Sequence, residues 1–246
     1  MSGLIIIIAF LFFLSQVFHI ETLLLKKILT GDKYSEDEYI KVAKRNIKKL
    51  IRDESTRKFI DDIKVFYVDK FGDEKDSGTK GQCHVSLFNI LILVKNETQL
   101  KQHIIEHELL HAVDHYLGIT NKRSFKELVD EMKTIEERKN WIIKKFPGAV
   151  RKDIDAFLKE TEEEKKYWLS NSELFVTLNN LRLYMFKKNI IKYGEQINRD
   201  TLSKLLEQLN KEKNIGGVDF FTALTFIKMD TDHDIKKLNN FYNFLK

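Results

Sequence analysis

Two histidines and a glutamate, set as His107-Glu108-Leu109-Leu110-His111, are the residues of this chain best suited to chemistry. On an α-helix, residues four apart lie on one face, so imidazoles at 107 and 111 can grip a single metal ion from the same side. Glu108 then falls beside that ion, where its carboxylate can hold a water and take its proton. Zinc suits the pair because it accepts neutral imidazole nitrogens, and with three protein ligands it keeps a fourth position open for a water whose pKa falls to about 7. The five-residue pattern is short enough to arise by accident, so its meaning rests on what surrounds it.

The surroundings must first supply a helix. Leu100, Ile104, Leu110, Val113 and Leu117 form an apolar stripe at helical spacing, broadened by Ile105, Leu109 and Ala112. Asn96 or Thr98 is placed to cap its start, and Gly118 to end it as a C′ glycine. His115 lies too far along the axis to complete the same site, and both His115 and His103 read as non-ligands. Before the helix come three β-rich runs, Ile63 to Val68, Gly81 to Leu87 and Asn89 to Val94. The last is continuously apolar, as a strand covered on both faces would be, and the more polar run before it reads as an edge strand or as one arm of a structural hairpin.

A third ligand must come from further along. Asp114 and Leu117 stand where a glycine and a third histidine would follow in the H-E-x-x-H-x-x-G-x-x-H extension, so a later carboxylate is required. Glu173 is the best placed, in Tyr167-Trp168-Leu169-Ser170-Asn171-Ser172-Glu173-Leu174-Phe175. Flanked by apolar residues, it would need a cation if buried. It also stands at capping-box spacing from Ser170, so the sequence leaves two readings open, ligand or cap partner. Glu195, Asp130 and Asp155 sit in charged surroundings and are poorer candidates.

The segments H-E-L-L-H-A-V-D-H and Y-W-L-S-N-S-E-L-F resemble gluzincin-type zinc metallopeptidases, especially the group of the lethal-factor toxin domain and the Pro-Pro endopeptidases. The first segment is also similar to mitochondrial inner-membrane peptidases that process an ATP-synthase subunit. The resemblance spans Ile63 to Tyr184. It implies one zinc ion on His107, His111 and Glu173, Glu108 as general base, Tyr167 as a transition-state stabiliser, and a peptide substrate lying extended beside the edge strand. Asp114, one turn past the histidines, is placed to orient a metal-binding ring or the helix C-terminal region, or else to face water.

The rest of the chain frames this core. With 246 residues and 43% apolar content it can bury a sizeable core, and the net charge of +5 is a small difference between 42 basic and 37 acidic residues. The lysines alternate with glutamates on helical faces, which does not make a nucleic-acid surface. The single cysteine, Cys83, excludes an intrachain disulfide and a cysteine-based zinc site. Helices are expected from a Ser35–Glu38 capping box to about Arg52 with Tyr39, Ile40, Ala43, Ile47, Leu50 and Ile51 inward, near 54 to 61, and from Ser124 to Phe146. Others are expected at about 150 to 166, from Thr177 to Tyr193, over Thr201 to Lys211 and at the C-terminus. Asp230 to Asp234 carries calcium-loop residue types without the glycine and terminal glutamate of an EF-hand, and reads as a helix start.

The expected fold is therefore α+β and mainly helical: a zincin-like metallopeptidase domain over 30–246, with a small sheet before the motif helix and an insertion at about 121–166. The expected function is a zinc-dependent endopeptidase. The alternative is a catalytically silent zincin-fold protein serving as a structural or interaction component of a membrane or particle. Residues 1–29 are a different material. Leu4 to Leu14 has no polar side-chain atom, and apolar character continues to Leu25. An N-terminal single-pass anchor accounts for this better than a cleaved signal peptide, because no basic residue precedes the core and no small-residue cleavage site follows. A buried core helix is the third option. Lys26 and Lys27 lean the domain toward the cytoplasm, against a secreted alternative. An anchor over 4–25 should hold the full chain on membranes through alkaline carbonate extraction, whereas mature protein beginning after residue 15 would identify a signal peptide.

Overall fold

The structure, a computed structural model, describes residues 37–69, 71, 80–85, 90–96, 100–122, 125–192, 194–212 and 219–242. The expectations for residues 1–29, for Ser35, for most of the loop after Phe71 and for the 213–218 turn lie outside these residues. The chain is α+β and mainly helical. In order it forms α1 (Glu38–Lys48), α2 (Glu54–Asp62), β1 (Lys64–Val68), β2 (Gly81–Val85), β3 (Ile90–Lys95) and α3 (Lys101–Leu117). There follow α4 (Ile119–Lys122), α5 (Lys126–Val129), α6 (Ile135–Lys145), α7 (Arg151–Glu163), α8 (Lys165–Trp168), α9 (Asn171–Lys187), α10 (Arg199–Lys211), α11 (Asp219–Phe226) and α12 (Asp232–Tyr242). Among the described residues no helix is long and apolar enough to cross a membrane.

The sheet has the order β1-β3-β2. The apolar β3 lies in the middle, parallel to β1 with Tyr67 opposite Val94 and antiparallel to β2 with Cys83 opposite Ile92. This is the central position its continuous apolar run calls for. Lys95 donates its N–H to the Lys80 carbonyl, which fixes which β2 residues bond inward. By the alternation of an antiparallel ladder, Gly81, Cys83 and Val85 then turn their main-chain groups away from β3, toward an edge that pairs with no other strand among the described residues.

Two helices are buried nearly all round. The motif helix α3 packs against α1, α9, β2 and β3, and α9 packs against α3 and α11. Both therefore lack a solvent face for most of their length, and their polar residues must be satisfied inside. Glu106, only 1% exposed, accepts from Asn46 of α1 at 2.9 Å, from Gln102 at 3.0 Å and from Lys187 at the end of α9 at 2.7 Å. One carboxylate thus ties together the three helices that position the site. Helices α6, α7 and α11 join the same core, Phe146 meeting Phe221 edge-on at 5.3 Å between ring centroids. There the buried Arg138 lies over the Phe226 ring at 3.6 Å, with Thr161, Thr225 and Glu162 around its guanidinium.

Several local expectations are corrected. Asp37 caps α1 through the N–H of Ile40 at 3.0 Å, the helix stops at Lys48 rather than near Arg52, and Tyr39 is exposed rather than inward. Leu100 occupies the N-cap position of α3 without a side-chain bond, because Asn96 is engaged in tying strand ends, donating to Asp69 at 2.7 Å and to the Val68 carbonyl. The single helix expected over 124–146 is broken after Val129. Lys133 turns inward there to bond the last carbonyls of α11, at Leu224 and Ile227, and Thr134 with Glu137 forms a true capping box for α6. Helix α9 ends at Lys187 rather than continuing to 193, and Asn189 follows with φ of 55°. Gly118 ends α3 in the left-handed conformation, φ 61°, and Thr231 pairs with Asp234 at the start of α12, both as expected.

Removing the lysine of the Glu106–Lys187 pair strands a buried carboxylate, whereas removing both charges does not. Lys187→Met should lower stability in urea titration by about 3 kcal/mol, and Glu106→Gln added to it should recover at least half of that loss.

Candidate metal centre

Helix α3 presents His107 and His111 one above the other, and α9 crosses that face with Glu173 in its first turn. The Nε2 atoms of the two histidines are 3.1 Å apart. Glu173 Oε1 lies 3.2 Å from His111 Nε2, and Oε2 lies 3.5 Å from His107 Nε2. One ligand atom from each residue falls within 4.8 Å of the others, and His107 and Glu173 are buried. This group could hold a metal ion.

The local fold explains why Glu173 points there. Ser170 is the N-cap of α9 and accepts from the Glu173 backbone N–H at 3.3 Å, but the Glu173 side chain does not return to the cap. The carboxylate is turned into the interface instead, so backbone and side chain of one residue take the two tasks that the sequence left as alternatives. Burial raises the proton affinity of this carboxyl, and the two imidazoles more than offset that, holding its pKa at about 2. Oε2 nevertheless has no hydrogen-bond partner. A buried anionic oxygen facing ring nitrogens asks for a cation between them.

The ring tautomers follow from what lies behind them. Ser172 Oγ is 3.2 Å from Asp114 Oδ2, and since a carboxylate only accepts, the serine proton goes there. Ser172 Oγ must then accept from His111 Nδ1–H, at 3.1 Å, which leaves the His111 Nε2 lone pair facing the site. Asp114 is held in turn by the backbone N–H of Thr120 at 3.0 Å and its hydroxyl at 2.8 Å. So Asp114 orients the ring as expected, but through Ser172. Behind His107, the Asn180 amide lies 3.4 Å from Nδ1, and its oxygen is buried without a partner. Turned by 180°, that amide would accept Nδ1–H and bare Nε2 in the same way.

Around the trio lies a cleft of about 560 Å³, lined by Gly81 to Val85 of β2, by Glu108, Asp114 and His115 of α3, and by Thr120, Asn121, Tyr167 and Ser172. Glu108 stands under β2 beside the trio and is not one of its members. The Cys83 thiol, also in the cleft, is pushed up to about 12 by burial and by the charge of Glu108, so it is no thiolate at neutral pH. Tyr167, on the short helix α8, lines the cleft with half of its surface exposed.

The remaining candidates lie elsewhere. Glu195 is exposed and accepts the N–H of Lys192, Asp155 pairs with Lys139, and Asp130 is exposed. Neither His103 nor His115 belongs to the metal-type group found among the described residues. Sequence reasoning gave no role to Ser172, Asn180 or Gly81. Ser172 adjoins the glutamate, and Glu173, Thr177 and Asn180 make a polar row along an otherwise apolar helix, a signal that could have marked Asn180. Compared with known protein families, curated proteins and solved structures, the chain matches none.

Loss of one ligand should abolish stoichiometric metal, so dialysed His111→Ala and Glu173→Gln should each retain far less zinc than wild type by atomic absorption. Ser172→Ala removes only the ring's support and should weaken zinc binding by about 10-fold.

Proposed function

We propose that the protein is a zinc-dependent endopeptidase of gluzincin type, with His107, His111 and Glu173 holding the ion. The observation that carries this reading is that one nitrogen of each imidazole and a buried carboxylate oxygen lie within 4.8 Å of one another, with Glu173 Oε2 lacking a hydrogen-bond partner. That donor set, two nitrogens and one oxygen, matches the open three-ligand zinc sites of hydrolases. When bound, zinc supplies a Lewis acid that lowers the pKa of water and polarises a carbonyl.

The chain's own groups divide the remaining work. Glu108, placed on the β2 side of the trio, takes the proton of the attacking water and hands it to the departing amine. Tyr167 lies across the cleft and donates its hydroxyl proton to the oxygen of the reacting carbonyl, which gathers charge as water adds. The open edge of β2 offers the outward N–H and C=O groups of Gly81, Cys83 and Val85 to a substrate in extended conformation, which adds as a further strand. A peptide satisfies that edge, whereas a compact small molecule would not. In the full chain we place this domain on a membrane through residues 4–25.

Glu108→Gln separates turnover from metal binding. The variant should keep stoichiometric zinc and its melting temperature while cleavage of a broad peptide library falls by roughly 10²-fold or more. Wild-type protein that holds zinc and cleaves nothing in that library would favour the catalytically silent alternative.

A further inference from the structure

We infer that Gly81 is a positioning residue for Glu108: the missing side chain at 81 is what lets the carboxylate stand beside the metal-type trio. Gly81 opens β2 at the point where the strand crosses α3. Its φ lies outside the left-handed region, so backbone conformation does not require glycine there. Its neighbours do. A Cβ at this position would come to 2.5 Å from Ile104 Cγ2, 2.9 Å from Glu108 Oε1 and 3.0 Å from Glu108 Cγ.

These neighbours are unequal. Ile104 is β-branched, held in one helical rotamer and almost wholly buried, so its methyl cannot retreat. Strand β2 is tied to β3 by its ladder and cannot back away without breaking it. The Glu108 carboxylate is the far end of a flexible side chain and so is the group that gives way, and giving way carries it off its place beside His107 and His111. One methyl group at 81 is thus converted into displacement of the base, while no atom of His107, His111 or Glu173 is among the three nearest to that Cβ. The same close approach holds the outward main-chain groups of Gly81 next to the carboxylate, so peptide edge and base are set by one contact.

The inference rests on the reading of Glu108 as general base, and its test uses two readouts so that the two can fail separately. Gly81→Ala in the full chain should retain stoichiometric zinc and lose turnover by about 10²-fold, close to Glu108→Gln. Because the clash with Ile104 alone could unsettle the fold, the companion variant is Gly81→Ala with Ile104→Leu, which removes Cγ2 at equal volume. It should recover the wild-type melting temperature and leave turnover low. The second readout needs no substrate: in the cobalt-substituted protein, the pH titration of the visible spectrum should shift in Gly81→Ala toward the curve of Glu108→Gln. Full turnover in Gly81→Ala, recovery of turnover together with stability in the double variant, or a cobalt titration identical to wild type would each overturn the role and leave Gly81 a packing residue. If wild type cleaves no peptide, the endopeptidase reading fails, and the cobalt titration alone decides on Gly81.

Discussion

Glu173 carries a negative charge into the interface between two nearly fully buried helices, and the polar architecture around it answers the cost of that charge. An isolated carboxylate in such a place would take up a proton. Here the two imidazoles hold it ionised as hydrogen-bond donors, and with their lone pairs turned to the site that task would pass to a cation between them. They can do so only while α3 and α9 keep their crossing, which is the task of Glu106 and Lys187 at the far end of the same pair of helices. The His111 ring in turn faces it correctly only while Ser172 and Asp114 fix which of its nitrogens carries the proton. Fold and site are therefore one problem: loosening the crossing removes the cation's seat, and removing the seat leaves a charge that the crossing cannot bury.

The parts of this arrangement that follow from local pattern were legible in the sequence. The stripe around His107 and His111 from Ile104 onward, the glycine closing that helix, the apolar central strand and the polar edge strand each follow from periodicity and turn chemistry and appear where expected, whereas Leu100 is exposed at the N-cap instead of joining the stripe. Glu173 was legible as one of two options because its cost is written in its apolar neighbours. What stayed hidden depends on groups distant in sequence. Asn96 was a reasonable cap until the strands gave it Asp69 as a partner, and the helix over 124–146 looked continuous until α11 offered Lys133 its terminal carbonyls. In both cases a tertiary partner outbid a local one.

Gly81 shows the same limit in reverse. A glycine at the head of a strand ordinarily reads as punctuation after a loop. Its meaning here comes from a helix lying more than 20 residues downstream in the chain, and no spacing rule connects the two. The packing of β2 on α3 also places the half-buried Cys83 thiol against the core and near the charge of Glu108, which together raise its pKa.

The open edge of β2 has one more consequence, and it concerns the protein's dealings with itself. A row of main-chain donors and acceptors left unpaired by the sheet will accept any extended backbone, including that of a neighbouring copy. Among its described residues this strand is five long, begins with a glycine and carries Gln82 and His84 at its alternate positions, a composition poorly suited to a stable ribbon between molecules. Solubility at high concentration thus depends on the modesty of this strand. A longer or more apolar β2 would grip extended chains more firmly and, by the same bonds, would lead the protein toward fibres.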